Sequence, residues 1–167
     1  MQEGIQQNVF DAWIREHKGL MLKVVRAYAF TPDDQDDLFQ EIALQLWNSV
    51  PIRRGEAAET TWIYRVALYS ALAWSRKERK HRSGRQDIDE VQHTLRFFPA
   101  TQDARLEWLY KEIGKFEEVD RSLVLLLLEG FGYREMAEIL GISESNVGVK
   151  ISRIKRRLAT IAMEATL

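Results

Sequence analysis

Apolar residues recur along this chain every three or four positions, which is the spacing of amphipathic helices. The pattern predicts helices near residues 7–16, 18–29, 33–48, 59–82, 104–115 and 117–129, followed by two shorter helical segments within 133–158. The alternating pattern of β-strands is nearly absent. Pro32 and the segment 49–58, which contains Pro51 and Gly55, interrupt the helices. We therefore expect an all-α fold.

The helical periodicity is lost over residues 83–103, between the breaks at Ser83-Gly84 and Pro99. This change predicts a linker that joins two small helical domains, residues 1–82 and residues 104–167. Phe97 and Phe98 are unusual in a purely solvated linker, so we expect them either to pack on a domain, which we favour, or to contact a partner.

Residues 133–158 are typical of a helix-turn-helix, in which a second helix enters the DNA major groove. Gly141 lies where the chain must turn sharply, and glycine adopts positive φ without steric cost. Ser143 is a good N-cap for the second helix. A helix-glycine-helix with a solvated charged face is also common in other all-α proteins, so the turn alone does not establish DNA binding.

The second helix separates apolar from polar positions. Its predicted buried stripe is Val147, Ile151, Ile154 and Leu158. On the remaining surface, short polar side chains lie near the start of the helix and cations lie further along. This order suits DNA, because short polar groups can contact base edges and cations can contact phosphate. The candidate DNA-contacting residues are Ser145, Asn146, Gly148, Val149, Lys150, Ser152, Arg153, Lys155, Arg156 and Arg157.

The net charge of −1 argues against indiscriminate nucleic-acid coating. Charge is nevertheless concentrated in patches, with acids at 33–41 and cations at 76–82 and 150–157. Opposed patches indicate more than one kind of partner.

No catalytic, metal or cofactor site is expected. The chain has no cysteine, which excludes disulfides and thiolate ligands and suits a cytoplasmic location. His17, His81 and His93 lack ligand spacing, and no nucleophile–base pair or phosphate-cradling loop is evident. No signal peptide is visible, and the longest apolar run, 123–128, is too short to span a bilayer. We therefore expect no membrane insertion.

Three sequence blocks resemble the extracytoplasmic-function (ECF) sigma factors of bacterial RNA polymerase. DDLFQE at 36–41 with Trp47 is similar to the family's D-L-x-Q-E…W block, and TWIYRVA at 61–67 to its W-L-Y-R-I-A block. Residues 120–137 and the following helix-turn-helix resemble its region 4. The resemblance implies a transcription initiation factor, with partners that are core RNA polymerase, promoter DNA and an anti-sigma factor.

The resemblance also implies roles for individual residues. Asp37, Gln40 and Glu41 would bind core polymerase. The −10 element would be contacted by Arg53, Arg54, Trp62, Tyr69, Arg76, Lys77, Arg79 and Lys80, and the −35 element by the ten candidates of the second helix. Without the resemblance, each of these residues also has an ordinary structural explanation. The acids would favour a helix N-terminus, and Trp62 would fill a core position. The loop 49–58 and the cations at 76–82 would be solvated surface.

Four positions depart from the family pattern. Tyr69 and Ala73 stand where Asn and Asp are common, Ala43 where Phe is usual, and Gly148 where Lys or Arg is common. The first two leave the −10 base preference open, and Gly148 predicts an uncommon −35 sequence.

Two rival interpretations of the function remain. One is a dimeric helix-turn-helix regulator, which the 33–47 block disfavours. The other is a helical adaptor that does not read DNA, which the basic second helix disfavours.

Overall fold

The computed structural model describes residues 1–82 and 104–166, and the side chains of 1–80 and 104–165. The chain separates into two compact units, divided between residues 102 and 103. The described residues form seven α-helices and no strand, which confirms the all-α expectation. The proposed linker at 83–103, with Phe97, Phe98 and His93, lies outside the described residues.

Unit 1 is a bundle of three helices, α1 (Gln2–Tyr28), α2 (Pro32–Ser49) and α3 (Glu59–Arg82), each packed on the other two. Periodic apolar positions of all three meet in one core. The fully buried members include Met21, Val24, Leu38, Ile42, Leu46, Ile63, Tyr64 and Leu68. The apolar residues whose spacing predicts the helices are therefore the same residues that form the core.

The prediction of two helices at 7–16 and 18–29 was wrong, because α1 is continuous from Gln2 to Tyr28. Glycine inside a helix costs about 1 kcal/mol relative to alanine. Gly19 nevertheless remains helical, since the following turns bury Met21, Val24 and Val25, which offsets that cost. Neither α1 nor any other described helix combines the length and apolar character needed to cross a membrane.

The start of α2 is set by its own sequence. The Thr31 hydroxyl accepts a hydrogen bond from the Asp34 backbone N–H at 3.1 Å, and Pro32 occupies the first helical position. Asp33 and Asp34 lie in the first turn, where the positive end of the helix dipole favours carboxylates.

Unit 2 contains α4 (Ala104–Ile113), α5 (Glu118–Leu128), α6 (Tyr133–Leu140) and α7 (Glu144–Thr166). Helices α5, α6 and α7 pack against one another. Their shared core includes Leu123, Leu126, Met136, Ile139, Val147, Ile151 and Ile154. Burial of this stripe leaves the opposite side of α7 exposed.

Candidate nucleic-acid interface

The turn between α6 and α7 has the geometry that the sequence predicted. Gly141 is left-handed, with φ 69° and ψ 32°, and its N–H donates to the Ala137 carbonyl. The Ser143 hydroxyl accepts a hydrogen bond from the Asn146 N–H at 3.0 Å and caps α7. Glycine at the left-handed position and serine at the N-cap thus set the angle between the two helices.

Helix α7 has one buried side and one exposed side. Val147, Ile151 and Ile154 are buried, and Leu158 is half-buried. The exposed candidates are Ser145, Asn146, Val149, Ser152, Arg153, Lys155, Arg156 and Arg157. Gly148 and Lys150 are half-buried. Short polar groups near the helix N-terminus and cations beyond them therefore share one accessible surface.

The cations of α7 fall into two groups. The Lys150 ammonium lies 3.9 Å from the Asp120 carboxylate of α5, and the Arg157 guanidinium lies 4.5 Å from the Phe116 ring centroid. Within the described part of the chain, the side chains of Arg153, Lys155 and Arg156 have neither a hydrogen bond nor an ion pair. These three are the cations most available to phosphate or base.

Gly148 faces the aromatic ring of Tyr133 on α6. A Cβ atom added at Gly148 would lie 3.9 Å from two ring carbons of Tyr133, which is ordinary van der Waals contact. The family's usual cation at this position is thus replaced by a glycine covered in part by a neighbouring aromatic ring. The apolar pattern of the sequence carried no signal for this contact.

The polar side of α2 contains the candidate polymerase-binding residues. Asp37 and Gln40 are exposed and Glu41 is half-buried. The indole N–H of Trp74 on α3 donates to Asp37 Oδ2 at 3.1 Å, and Gln45 donates to Glu41 Oε1 at 3.0 Å. The contact between Asp37 and Trp74 has no signal in the helical pattern, because the two residues are 37 positions apart in the chain.

A groove of about 550 Å³ lies between α2 and α3. Asp37 and Glu41 lie on one wall, and Tyr69, Trp74 and Lys77 on the other. Residues to which the family resemblance gives different partners therefore border one groove. Any large partner that covers this groove would contact members of both sets.

The segment 50–58 forms a loop closed at its base. The Trp62 indole N–H donates to the Ser49 hydroxyl at 3.2 Å, so this half-buried tryptophan braces the loop ends. Arg53 donates to the Ala57 carbonyl at 3.2 Å. Arg54 is exposed, with no hydrogen bond or ion pair among the described residues. Gly55 makes the turn with φ 77°.

The remaining −10 candidates lie along α3. Tyr69 is 45% exposed, and Arg76, Lys77, Arg79 and Lys80 are exposed. Counted at roughly 100° per residue, Tyr69, Arg76 and Lys80 fall within one narrow sector of the helix. An aromatic ring followed by cations along one side suits a nucleic-acid strand, through base stacking and phosphate contact.

His17 is the one described histidine side chain with acidic neighbours. Its Nε2 lies 3.0 Å from Glu59 Oε1, and Glu16 brings a third possible ligand atom within 4.8 Å of these two. Glu59 begins α3, whose positive dipole end disfavours a cation. We interpret the pair as a contact that ties α1 to the start of α3.

These features are typical of one class of protein, a helical DNA-binding factor that also has a separate acidic surface. Residues 13–81 match the family described as Sigma-70 region 2, and residues 106–158 match Sigma-70, region 4. The chain belongs to the sigma-70 family, in its ECF group, and is an RNA polymerase sigma factor that directs promoter recognition and transcription initiation.

Individual relatives support this assignment. The chain is 27% identical over 133 residues to the ECF RNA polymerase sigma factor SigX of Bacillus subtilis (strain 168), covering 71% of this chain and 68% of SigX. It is 23% identical over 157 residues to the ECF RNA polymerase sigma factor SigM of Mycobacterium tuberculosis (strain ATCC 25618 / H37Rv), covering 91% and 76%.

A solved structure has the same fold. The sigma factor RpoE, in complex with the anti-sigma factor NepR from Bartonella quintana, superposes with a TM-score of 0.68 at 17% identity. The match covers 92% of this chain and 96% of that chain.

Proposed function

We propose that the two units divide promoter recognition, with residues 1–82 binding core polymerase and the −10 element and residues 104–167 reading the −35 element. Residues 83–103 would connect them. The observation that carries this proposal is the separation of exposed charge, carboxylates on α2 and cations on α7. Carboxylates repel the DNA backbone and attract basic protein surfaces, whereas cations attract phosphate.

Asp37, Gln40 and Glu41 form the proposed polymerase contact. They project from a helix whose opposite side, Ile42 and Leu46, is buried. The helix fixes the backbone of these residues before binding, so that only side-chain freedom is lost when a partner binds.

The loop 50–58 and α3 form the proposed −10 contact. Arg54 and Tyr69 are accessible to a displaced strand, and Arg76, Lys77, Arg79 and Lys80 would follow its phosphates. Arg53 and Trp62 contribute by shaping the loop, since one guanidinium nitrogen of Arg53 donates to the Ala57 carbonyl and the Trp62 indole N–H donates to Ser49 at the end of α2. Unstacking a promoter base costs a few kcal/mol, which stacking and edge contacts offset.

Helix α7 forms the proposed −35 contact. Ser145, Asn146, Val149, Ser152 and Arg153 lie near enough to its N-terminus to reach base edges. Lys155 and Arg156 lie further along, where the helix leaves the groove and phosphate contact is expected. The half-buried Gly148 adds no side chain.

The RNA-synthesis chemistry belongs to the polymerase, so we propose no enzymatic activity and no cofactor for this chain. Its place of action is then the cytoplasm, with the polymerase. Because the similar RpoE is held in a complex with an anti-sigma factor, we propose that an anti-sigma factor also controls this chain. The groove between α2 and α3 is a suitable surface, since occupying it would block both proposed contacts of unit 1.

The proposal is tested by adding the chain to core polymerase on a library of promoter fragments and sequencing the transcripts. Permanganate footprinting then follows promoter opening in Arg54→Ala, with the exposed Arg15→Ala on α1 as matched control. We expect Arg54→Ala to bind polymerase normally and to open promoters poorly, and Arg15→Ala to behave as wild type.

Base reading is tested with Arg153→Ala in the same holoenzyme assay. We expect a changed −35 preference, worth about 1–3 kcal/mol if the contact is bidentate. The proposal fails if the chain binds a palindromic site without polymerase, or if it adds no promoter specificity to core polymerase.

A further inference from the structure

The Arg157 side chain is directed toward its own domain. Its guanidinium lies 4.5 Å from the centroid of the Phe116 ring. Phe116 is 3% exposed and lies between α4 and α5, where Arg121 Nε donates to its carbonyl at 2.7 Å. The ring under Arg157 is therefore a fixed part of the domain.

The position of Arg157 around α7 agrees with this contact. Counted at roughly 100° per residue from Val147, Arg157 lies about 80° from the buried stripe and Lys150 about 60°, both on the same side. Arg156 lies about 180° away and points outward. Lys150 and Arg157 are two turns apart, and their partners Asp120 and Phe116 lie at the start of α5 and just before it. Two cations thus follow the edge of α7 that packs on α5.

We propose that Arg157 is a positioning residue, which stacks on Phe116 and holds the C-terminal half of α7 against the turn before α5, so that the reading residues are presented at a defined angle. This inference rests on the proposed −35 role of α7. It reverses the role that the basic pattern of the sequence suggested, which was phosphate contact. Arginine suits the stacked role because its planar guanidinium covers an aromatic face, whereas the lysine ammonium is a compact, strongly hydrated charge.

The two roles differ in their salt dependence. A lost phosphate contact lowers the slope of log affinity against log salt by about one unit. A lost positioning contact weakens binding by a similar factor at every salt concentration and leaves the slope unchanged.

The test uses holoenzyme reconstituted from the full chain and core polymerase, bound to a −35-containing promoter fragment over a series of salt concentrations. For Arg156→Ala, the matched control, we expect the slope to fall by about one unit. For Arg157→Ala we expect an unchanged slope and a two- to fivefold loss of affinity, since an exposed cation–π contact is worth about 0.5–1 kcal/mol.

Two further variants separate stacking from charge. Arg157→Lys keeps the charge, so it should restore a phosphate contact fully but a stacking contact only in part. Phe116→Leu removes no charge and should reproduce the loss seen in Arg157→Ala. Because the two residues act together, the double variant should lose little more than either single variant.

NMR of the full chain supplies a readout that needs no DNA. A side chain above an aromatic ring experiences the ring current, so the Arg157 side-chain resonances should move toward ordinary values in Phe116→Leu. If Phe116→Leu fails to fold, the binding assay with Arg157→Lys still distinguishes a stacking contact from a phosphate contact.

The inference is overturned if Arg157→Ala lowers the salt slope by one unit and Arg157→Lys restores it, or if Arg157→Ala binds as wild type while Arg153→Ala and Arg156→Ala do not. If none of these three variants changes −35 binding, the proposed role of α7 itself fails, while the NMR shift still reports the stack.

Discussion

Helices α2 and α7 are both amphipathic, but the charged residues on their exposed sides have opposite sign. Each buries an apolar stripe, Leu38, Ile42 and Leu46 in α2 and Val147, Ile151 and Ile154 in α7. Each exposes polar residues on its other side. Carboxylates on α2 suit a basic protein surface, whereas cations on α7 suit nucleic acid. Helical periodicity decides which side chains are accessible, and their charge decides which class of partner they fit.

The two helices also differ in how their charged groups are held. On α2 a proposed contact residue, Asp37, accepts a hydrogen bond from Trp74 of α3. On α7 the proposed phosphate contacts, Lys155 and Arg156, have no side-chain hydrogen bond or ion pair among the described residues, while Arg157 stacks on Phe116. The difference agrees with the proposed partners of the two helices. A directed hydrogen bond to another protein needs a fixed group, whereas the attraction between a cation and phosphate acts at longer range.

The largest expected effects come from one substitution made in both helices. Ile42 and Ile151 are each fully buried, so Ile42→Ala and Ile151→Ala should each cost about 2–5 kcal/mol of unfolding free energy. Ile42→Ala should impair polymerase binding, and Ile151→Ala should impair −35 recognition with polymerase binding retained. Urea unfolding followed by circular dichroism, together with polymerase pull-downs, measures both effects.

Loss of polymerase binding in Ile151→Ala would contradict the division of functions between the two units. Val149→Ala, at an exposed position of α7, is the control that should leave stability nearly unchanged.

A smaller effect is expected from reversing charge on α2. Glu41→Lys and Asp37→Lys should each weaken binding to core polymerase by about 2–3 kcal/mol, because a lysine would face a basic partner surface. Glu3→Lys, at an exposed position of α1, is the matched control. Polymerase affinity by pull-down or anisotropy is the measurement, with circular dichroism to confirm folding. Wild-type affinity in both α2 variants would remove α2 as the polymerase contact.

The smallest effect concerns two glycines of the helix-turn-helix. Gly148→Ala should stabilise unit 2 by about 1 kcal/mol, because alanine favours helix and its Cβ would meet Tyr133 at an ordinary 3.9 Å. Gly141→Ala should destabilise it by about 1–2 kcal/mol, since φ is 69° there. Thermal unfolding of the full chain measures both variants. Equal effects at the two sites would contradict this account of the turn.

Much of the fold was predictable from residues close together in the chain. The predicted helix 59–82 coincides with α3, and Gly141 and Ser143 perform the predicted turn and cap. Helix periodicity, capping and positive φ depend on neighbours within about four residues, so the sequence itself contains this information. The residue assignments at the polymerase and promoter contacts stay predictions.

Tertiary structure decided the rest. The continuity of α1 through Gly19 depends on burial against α2 and α3, and the Asp37–Trp74 hydrogen bond joins residues 37 positions apart. The Arg157–Phe116 stack likewise joins α7 to the turn before α5. From sequence, helical counting places Arg156 opposite the buried stripe and Arg157 closer to it, but it does not show what lies beside that edge of the helix. The packing of α7 on α5 and on the turn before it decides this, because it places Phe116 under Arg157 and leaves the opposite side of α7 to solvent.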